Sequence, residues 1–120
     1  MNKKLTLSLA ASITLLALPA THAAQSSITT SEILEYCKGT GGSFVTCEIY
    51  GQAVYDTYLY MSGSGQALKT ICVNQPAPSR TEVIQGYVKW AQGSAEYAKE
   101  PAAQTMMQYL VTRFPCSKSN

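Results

Sequence analysis

Histidine is almost absent from this 120-residue chain: the one copy, His22, lies near the amino terminus. Nucleophilic catalysis by Ser or Cys usually depends on a neighbouring base, most often His, so that chemistry loses its commonest partner. Charge is also sparse, at 13% of residues, and no basic run occurs. The electrostatic footprint of a nucleic-acid or anionic-lipid binder is therefore missing. Closely spaced cysteine pairs are absent too, which argues against a structural zinc site, and neither His nor acids cluster to hold another metal. No apolar run reaches the roughly 20 residues needed to span a bilayer.

The longest apolar run, Leu5 to Leu18, follows Lys3 and Lys4 and precedes Pro19-Ala20-Thr21-His22-Ala23. A charged start, an apolar middle and small residues at Thr21 and Ala23 read as a cleaved export signal over residues 1–23. One helical domain over 24–120 is then expected, too small for two cores. Cleavage would remove two lysines, His22 and no acid, leaving seven basic and seven acidic residues. The exported domain is expected in the periplasm, with no membrane association after cleavage.

All four cysteines, Cys37, Cys47, Cys72 and Cys116, follow the signal. An even count in a small exported chain reads as two disulfides. Four cysteines allow three pairings. An up-down helical arrangement favours Cys37 with Cys47 at one end and Cys72 with Cys116 at the other.

Thr29-x-x-Glu32 and Ser79-Arg80-Thr81-Glu82 both have the form of a capping box, in which hydroxyl and carboxylate satisfy each other's backbone N–H. The first predicts a short helix through Ile33, Leu34, Tyr36 and Cys37 to Gly39. The second opens a helix with an apolar stripe at Val83, Ile84, Tyr87, Val88 and Ala91, with Gly93 expected as a left-handed stop. Between them, Phe44 to about Met61 reads as one long helix. Its polar stripe is Glu48, Gln52 and Asp56, and the rest of its circumference is largely apolar. Pro101 suits the first turn of a last helix. Ala103, Met106, Met107, Leu110, Val111 and Phe114 are expected to face the core there, with Gln104, Thr105, Gln108 and Thr112 opposite. Gly39 to Ser43 is a turn without the strand and Lys of a phosphate loop. The fold expected is all-α, a small disulfide-stapled bundle of about four helices.

The run Ile71-Cys72-Val73, the capped helix ending in Val88-Lys89-Trp90, Glu100-Pro101-Ala102-Ala103 and Tyr109 to Phe114-Pro115-Cys116 together resemble the Tai/Rap family of type VI secretion immunity proteins. Cys47-Glu48-Ile49-Tyr50 at the head of the long helix is similar as well. The family often has His-Pro where Ser94-Ala95 stands and Gly where Ala53 stands. The resemblance implies a periplasmic, helical, usually dimeric protein that occludes an injected peptidoglycan amidase, a papain-like Cys/His peptidase cutting the D-glutamyl to diaminopimelate bond. It implies no catalysis and no cofactor.

The candidate partner-binding residues are Glu96, Tyr97, Lys99 and Glu100, between the last two helices. Tyr97 either anchors the partner or packs back on Trp90. The long helix has more apolar circumference than a small domain readily covers, so Tyr55, Tyr58 and Tyr60 are candidates for a homodimer interface; equally, they can be core. An enzyme is not expected. A pair of carboxylates among the seven acids is arithmetically available for glycosidase chemistry, but none has an apolar, pocket-forming context. The alternative reading is a small periplasmic acid-stress chaperone, for which the chain has few charges to drive a response.

Overall fold

The computed structural model describes residues 26–39 and 42–117; the expected export signal, residues 1–23, lies outside them. Four helices account for most of the described chain: α1 (Thr30–Lys38), α2 (Gly42–Gly63), α3 (Arg80–Gln92) and α4 (Ala102–Arg113). A short 3-10 helix, Ala95–Lys99, joins α3 to α4. The fold is all-α and carries two disulfides, Cys37–Cys47 and Cys72–Cys116.

Both capping boxes form. At α1 the Thr29 N–H donates to Glu32 Oε2 at 2.7 Å, and the Glu32 N–H donates to Thr29 Oγ1. At α3 the Ser79 N–H donates to Glu82 Oε2 at 2.7 Å, and the Glu82 N–H donates to Ser79 Oγ. Lys38, Lys89 and Arg113 in the last turns of α1, α3 and α4 complement the negative ends of those helix dipoles.

Two pieces of irregular backbone tie distant chain together. Near the start of α1, the Thr30 N–H donates to the Glu100 carbonyl and the Ala102 N–H to the Ile28 carbonyl, both at 2.9 Å. At the far end of the chain, the Cys72 N–H donates to the Phe114 carbonyl at 2.8 Å, beside the Cys72–Cys116 bridge. The connection from α2 to α3 is thus fastened to the chain just beyond α4. Tyr58 of α2 fixes the same connection, its phenol oxygen accepting from the N–H groups of Thr70 and Ile71, each at 2.9 Å.

The core draws on Ile33, Leu34, Ile84, Tyr87, Met106 and Leu110, supplied by α1, α3 and α4, with Cys47 and Tyr58 from α2. Helix α2 passes close to α3 at Gly51, where a Cβ would meet the Ile84 Cδ1 atom. Two local expectations are corrected. Gly93 does not adopt a left-handed conformation: φ is −71° and ψ −12°, and its N–H donates to the Trp90 carbonyl, so α3 ends by tightening rather than by reversing. The buried face of α4 is also rotated from the apolar stripe. Thr105 and Tyr109 are buried, whereas Ala103 is exposed and Val111 is 37% exposed. Hydrogen bonding decides that rotation, because Thr105 shares a buried hydroxyl network with Thr30 and Tyr87.

The caps give stability a defined dependence on acid. Glu32 is held below its usual value by the Thr29 backbone and then side-chain hydrogen bonds, and Glu82 by the Ser79 side chain and then backbone. A depressed folded-state pKa contributes stability above the unfolded value, here 4.5, and loses it as pH falls through the folded value. Replacing both by Gln should flatten the fall in melting temperature below pH 4.5. Thermal melts of wild type and the double variant across that range check this; parallel curves would refute it.

Candidate functional site

The hairpin of α3 and α4 projects a short tip, residues 93–101, and its base is a stack of rings. Tyr87 and Tyr109 meet edge to face at 5.9 Å, and Trp90 lies 5.8 Å from Tyr109. On the outer face of Trp90 lies Tyr97, with ring centroids 4.5 Å apart and planes within 18°. Offset contacts of this kind are worth about 0.5–1.5 kcal/mol beyond the area they bury. Tyr97 therefore packs back on Trp90, with its ring half-buried rather than extended into solvent. Among the described residues its hydroxyl makes no hydrogen bond.

The second support comes from beneath. Thr105 Oγ1 accepts from the Tyr87 hydroxyl at 2.9 Å and donates to Thr30 Oγ1 at 2.7 Å, with the Ala102 carbonyl 3.2 Å away. Thr30 Oγ1 in turn donates to the Glu100 carbonyl at 3.0 Å, the same oxygen that accepts the Thr30 N–H. Glu100 of the tip is thereby clamped to the first turn of α1. Burial raises the Tyr87 phenol above its ordinary value against the opposing bonds to Thr105 and Thr30, and burial likewise raises Tyr109. Both rings stay protonated and neutral through the physiological range, so they act as wedges rather than as acids, and the Tyr87 hydroxyl bonds to Thr105.

Glu96, Tyr97, Lys99 and Glu100 are brought together on this one short element. They differ in availability. Glu96 and Lys99 are exposed and make no ion pair or hydrogen bond among the described residues. The Glu100 carboxylate accepts from Gln104 Nε2 at 3.1 Å and is half-buried, so part of its capacity is already used. Such a surface offers one cation, two carboxylates of which one is partly engaged, and an aromatic ring.

The three tyrosines of α2 do not share a face. Tyr60 is 70% exposed, Tyr55 is half-buried and stacked 6.1 Å from Tyr58, and Tyr58 is 6% exposed. Burial alone would raise the Tyr58 phenol, but the hydrogen bonds with Ile71 and Thr70 outweigh it and leave it below its ordinary value. The large apolar side chains on the open side of α2 are instead Val45, Ile49, Leu59 and Tyr60. Among the described residues every cysteine is in a disulfide, and no cluster of three or more His, Cys, Asp or Glu could hold a metal.

Thr30 and Thr105 were not legible as site residues, because a Thr on a helix reads as a polar-face residue until its partner is known. The only sequence signal was their neighbourhood: Thr30 follows a cap, and Thr105 sits one residue before the apolar Met106-Met107 pair.

Comparison with known families matches residues 29–116 to the Rap1a immunity proteins. No curated protein and no solved structure gave a match.

The clamp can be tested by removing its central hydroxyl. Thr105→Val strips the Tyr87 phenol of its partner inside the core, at a cost of about 1–3 kcal/mol. Thr105→Ser keeps the oxygen and should lose less. Urea denaturation should show a lower midpoint for Val than for Ser with an unchanged slope. Equal midpoints would remove the network from the support of the tip.

Proposed function

The chain belongs to the Rap1a immunity protein family, and on that premise we propose that it protects its own cell by binding and occluding a type VI secreted peptidoglycan amidase in the periplasm. The observation that carries this reading is the buttressed tip. A plug for a catalytic cleft gains affinity when its bound shape exists before binding, since less side-chain and loop ordering opposes association. Tyr97 fixed on Trp90 and Glu100 fixed to Thr30 supply that shape.

In this reading the tip occupies the cleft without doing chemistry. Tyr97 presents its ring edge and free hydroxyl, and Glu96 and Lys99 pair with charges at the rim, where such pairs govern orientation and encounter more than affinity. The disulfides keep the scaffold folded in an oxidising compartment. An acid-triggered chaperone has less support: among the described residues no carboxylate is buried, so protonation would relieve no buried charge.

Calorimetric titration against the product of the adjacent gene tests the assignment, together with survival of cells exporting that product. Tyr97→Ala should raise the dissociation constant at least about thirtyfold, the scale of a central aromatic anchor. Tyr97→Phe should lose much less, because the stack on Trp90 remains. Glu35→Ala, on exposed α1, should change little. Wild-type protein that neither binds nor protects overturns the function; a Tyr97→Ala variant that binds as wild type does overturns only the tip.

The open side of α2 is proposed as a homodimer interface. It comprises Tyr60 and Leu59 near the end of the helix and Ile49 about three turns earlier, since Tyr58 is spent inside the fold and Tyr55 partly so. Light scattering at micromolar concentration should give the dimer mass, and Tyr60→Glu should shift it toward the monomer. A wild-type monomer at all concentrations removes the interface.

A further inference from the structure

A cavity of about 460 Å³ opens between α2, α3, α4 and the connection that precedes α3. Its walls are largely apolar, including Ile71, Val73, Val83 and Phe114, yet Lys69 and Arg80 both line it. Volume and lining fall in the range of small-molecule sites, which combine apolar walls with a few placed polar groups.

The two cations carry the inference. Neither Lys69 nor Arg80 forms an ion pair or hydrogen bond among the described residues. Arg80 is also the first residue of α3, where the helix dipole disfavours a cation. None of the carboxylates of α2 and α3 pairs with either cation: Glu48 accepts from the Thr81 hydroxyl at 2.6 Å, Asp56 from Gln52 at 2.8 Å, and Glu82 from the Ser79 N–H at 2.7 Å. No acid lines the cavity itself. Lys69 and Arg80 are thus exposed at the mouth of an apolar cavity and unpaired among the described residues.

We infer that this cavity binds an apolar chain ending in a carboxylate, with the carboxylate on Arg80 and Lys69 and the chain against Ile71, Val83 and Phe114. A guanidinium matches a carboxylate with two parallel hydrogen bonds, and a flexible ammonium adds a point charge. The apolar walls take the chain out of water. The site lies at the opposite end of α3 from the tip, roughly 20 Å away along a helix of 13 residues. It is therefore independent of the amidase reading.

Calorimetric titration of the disulfide-intact protein with decanoate, decanol and decyltrimethylammonium, each below its micellar concentration, tests this. Decanoate should bind at least about tenfold more tightly than decanol, and the ammonium should not bind measurably. Arg80→Gln should weaken decanoate roughly tenfold and leave decanol unchanged; the substitution removes a cation from the end of the helix that disfavours one, so folding is retained. Val73→Trp, which fills the cavity, should abolish both. Equal binding of decanoate and decanol overturns the role of the cations, and decanoate binding that survives Val73→Trp in a variant with an unchanged circular-dichroism spectrum overturns the cavity. Absence of decanoate binding to wild type overturns the proposal outright. Tip variants should leave decanoate binding unchanged, which separates this outcome from failure of the amidase reading.

Discussion

The hydroxyl of Thr105 is the point on which the upper half of the molecule depends. It is fully buried and lies within hydrogen-bonding distance of Thr30 on α1 and Tyr87 on α3, while belonging to α4 itself. A hydroxyl placed in a core without partners would be costly, and one that joins three helices fixes their mutual rotation. No side-chain polar atom buried in the described part of the chain lacks a partner, so the network is closed. Because Thr30 also holds the Glu100 carbonyl, the same network positions the tip.

The aromatic stack and the clamp work on opposite sides of that tip. Trp90 offers a flat face to Tyr97 from α3, and Thr30 holds the backbone of Glu100 from α1. A 3-10 helix of five residues has little internal hydrogen bonding, so its conformation rests on these two external supports. The lower half of the molecule is held differently. There a disulfide, a backbone bridge between Ile71 and Pro115, and the Tyr58 hydroxyl fasten the α2–α3 connection. The cavity with Lys69 and Arg80 opens beside this fastening, so rigid backbone frames its mouth.

The two ends of the α3–α4 hairpin thus carry different kinds of surface. The tip is mixed in charge, with Glu96 and Lys99 exposed. The far end is concave and apolar with two unpaired cations, suited to receiving a ligand. The two disulfides fit both, since a binding protein needs a stable scaffold to hold its surfaces.

The helices and their starts were legible in the sequence because capping is local. Thr29 with Glu32, and Ser79 with Glu82, lie within one turn of each other, so spacing alone specifies the hydrogen bonds. The long run from Phe44 and the order of the four cysteines likewise sufficed for α2 and for pairing by helix ends. The rotation of α4 was partly legible: the apolar stripe held Met106 and Leu110, which are buried, but also Ala103 and Val111, which are exposed, and it set Thr105 on the opposite side until Thr105 meets Thr30, 75 residues away. Gly93 was misread for a similar reason: Gly permits a left-handed stop, but the chain here turns directly into the 3-10 helix. Tyr97 was legible as a tip residue, and its stack on Trp90 was decided by the tertiary structure. The cavity left no trace in the sequence, since Lys69 and Arg80 are separated by a loop and acquire a common role only when that loop is fastened to the end of α4. What the sequence determined by itself was whatever short-range hydrogen bonds and periodicity encode; the tertiary structure decided which polar groups face one another across long chain separations, because a hydroxyl or a cation has no fixed preference until its partner is in place.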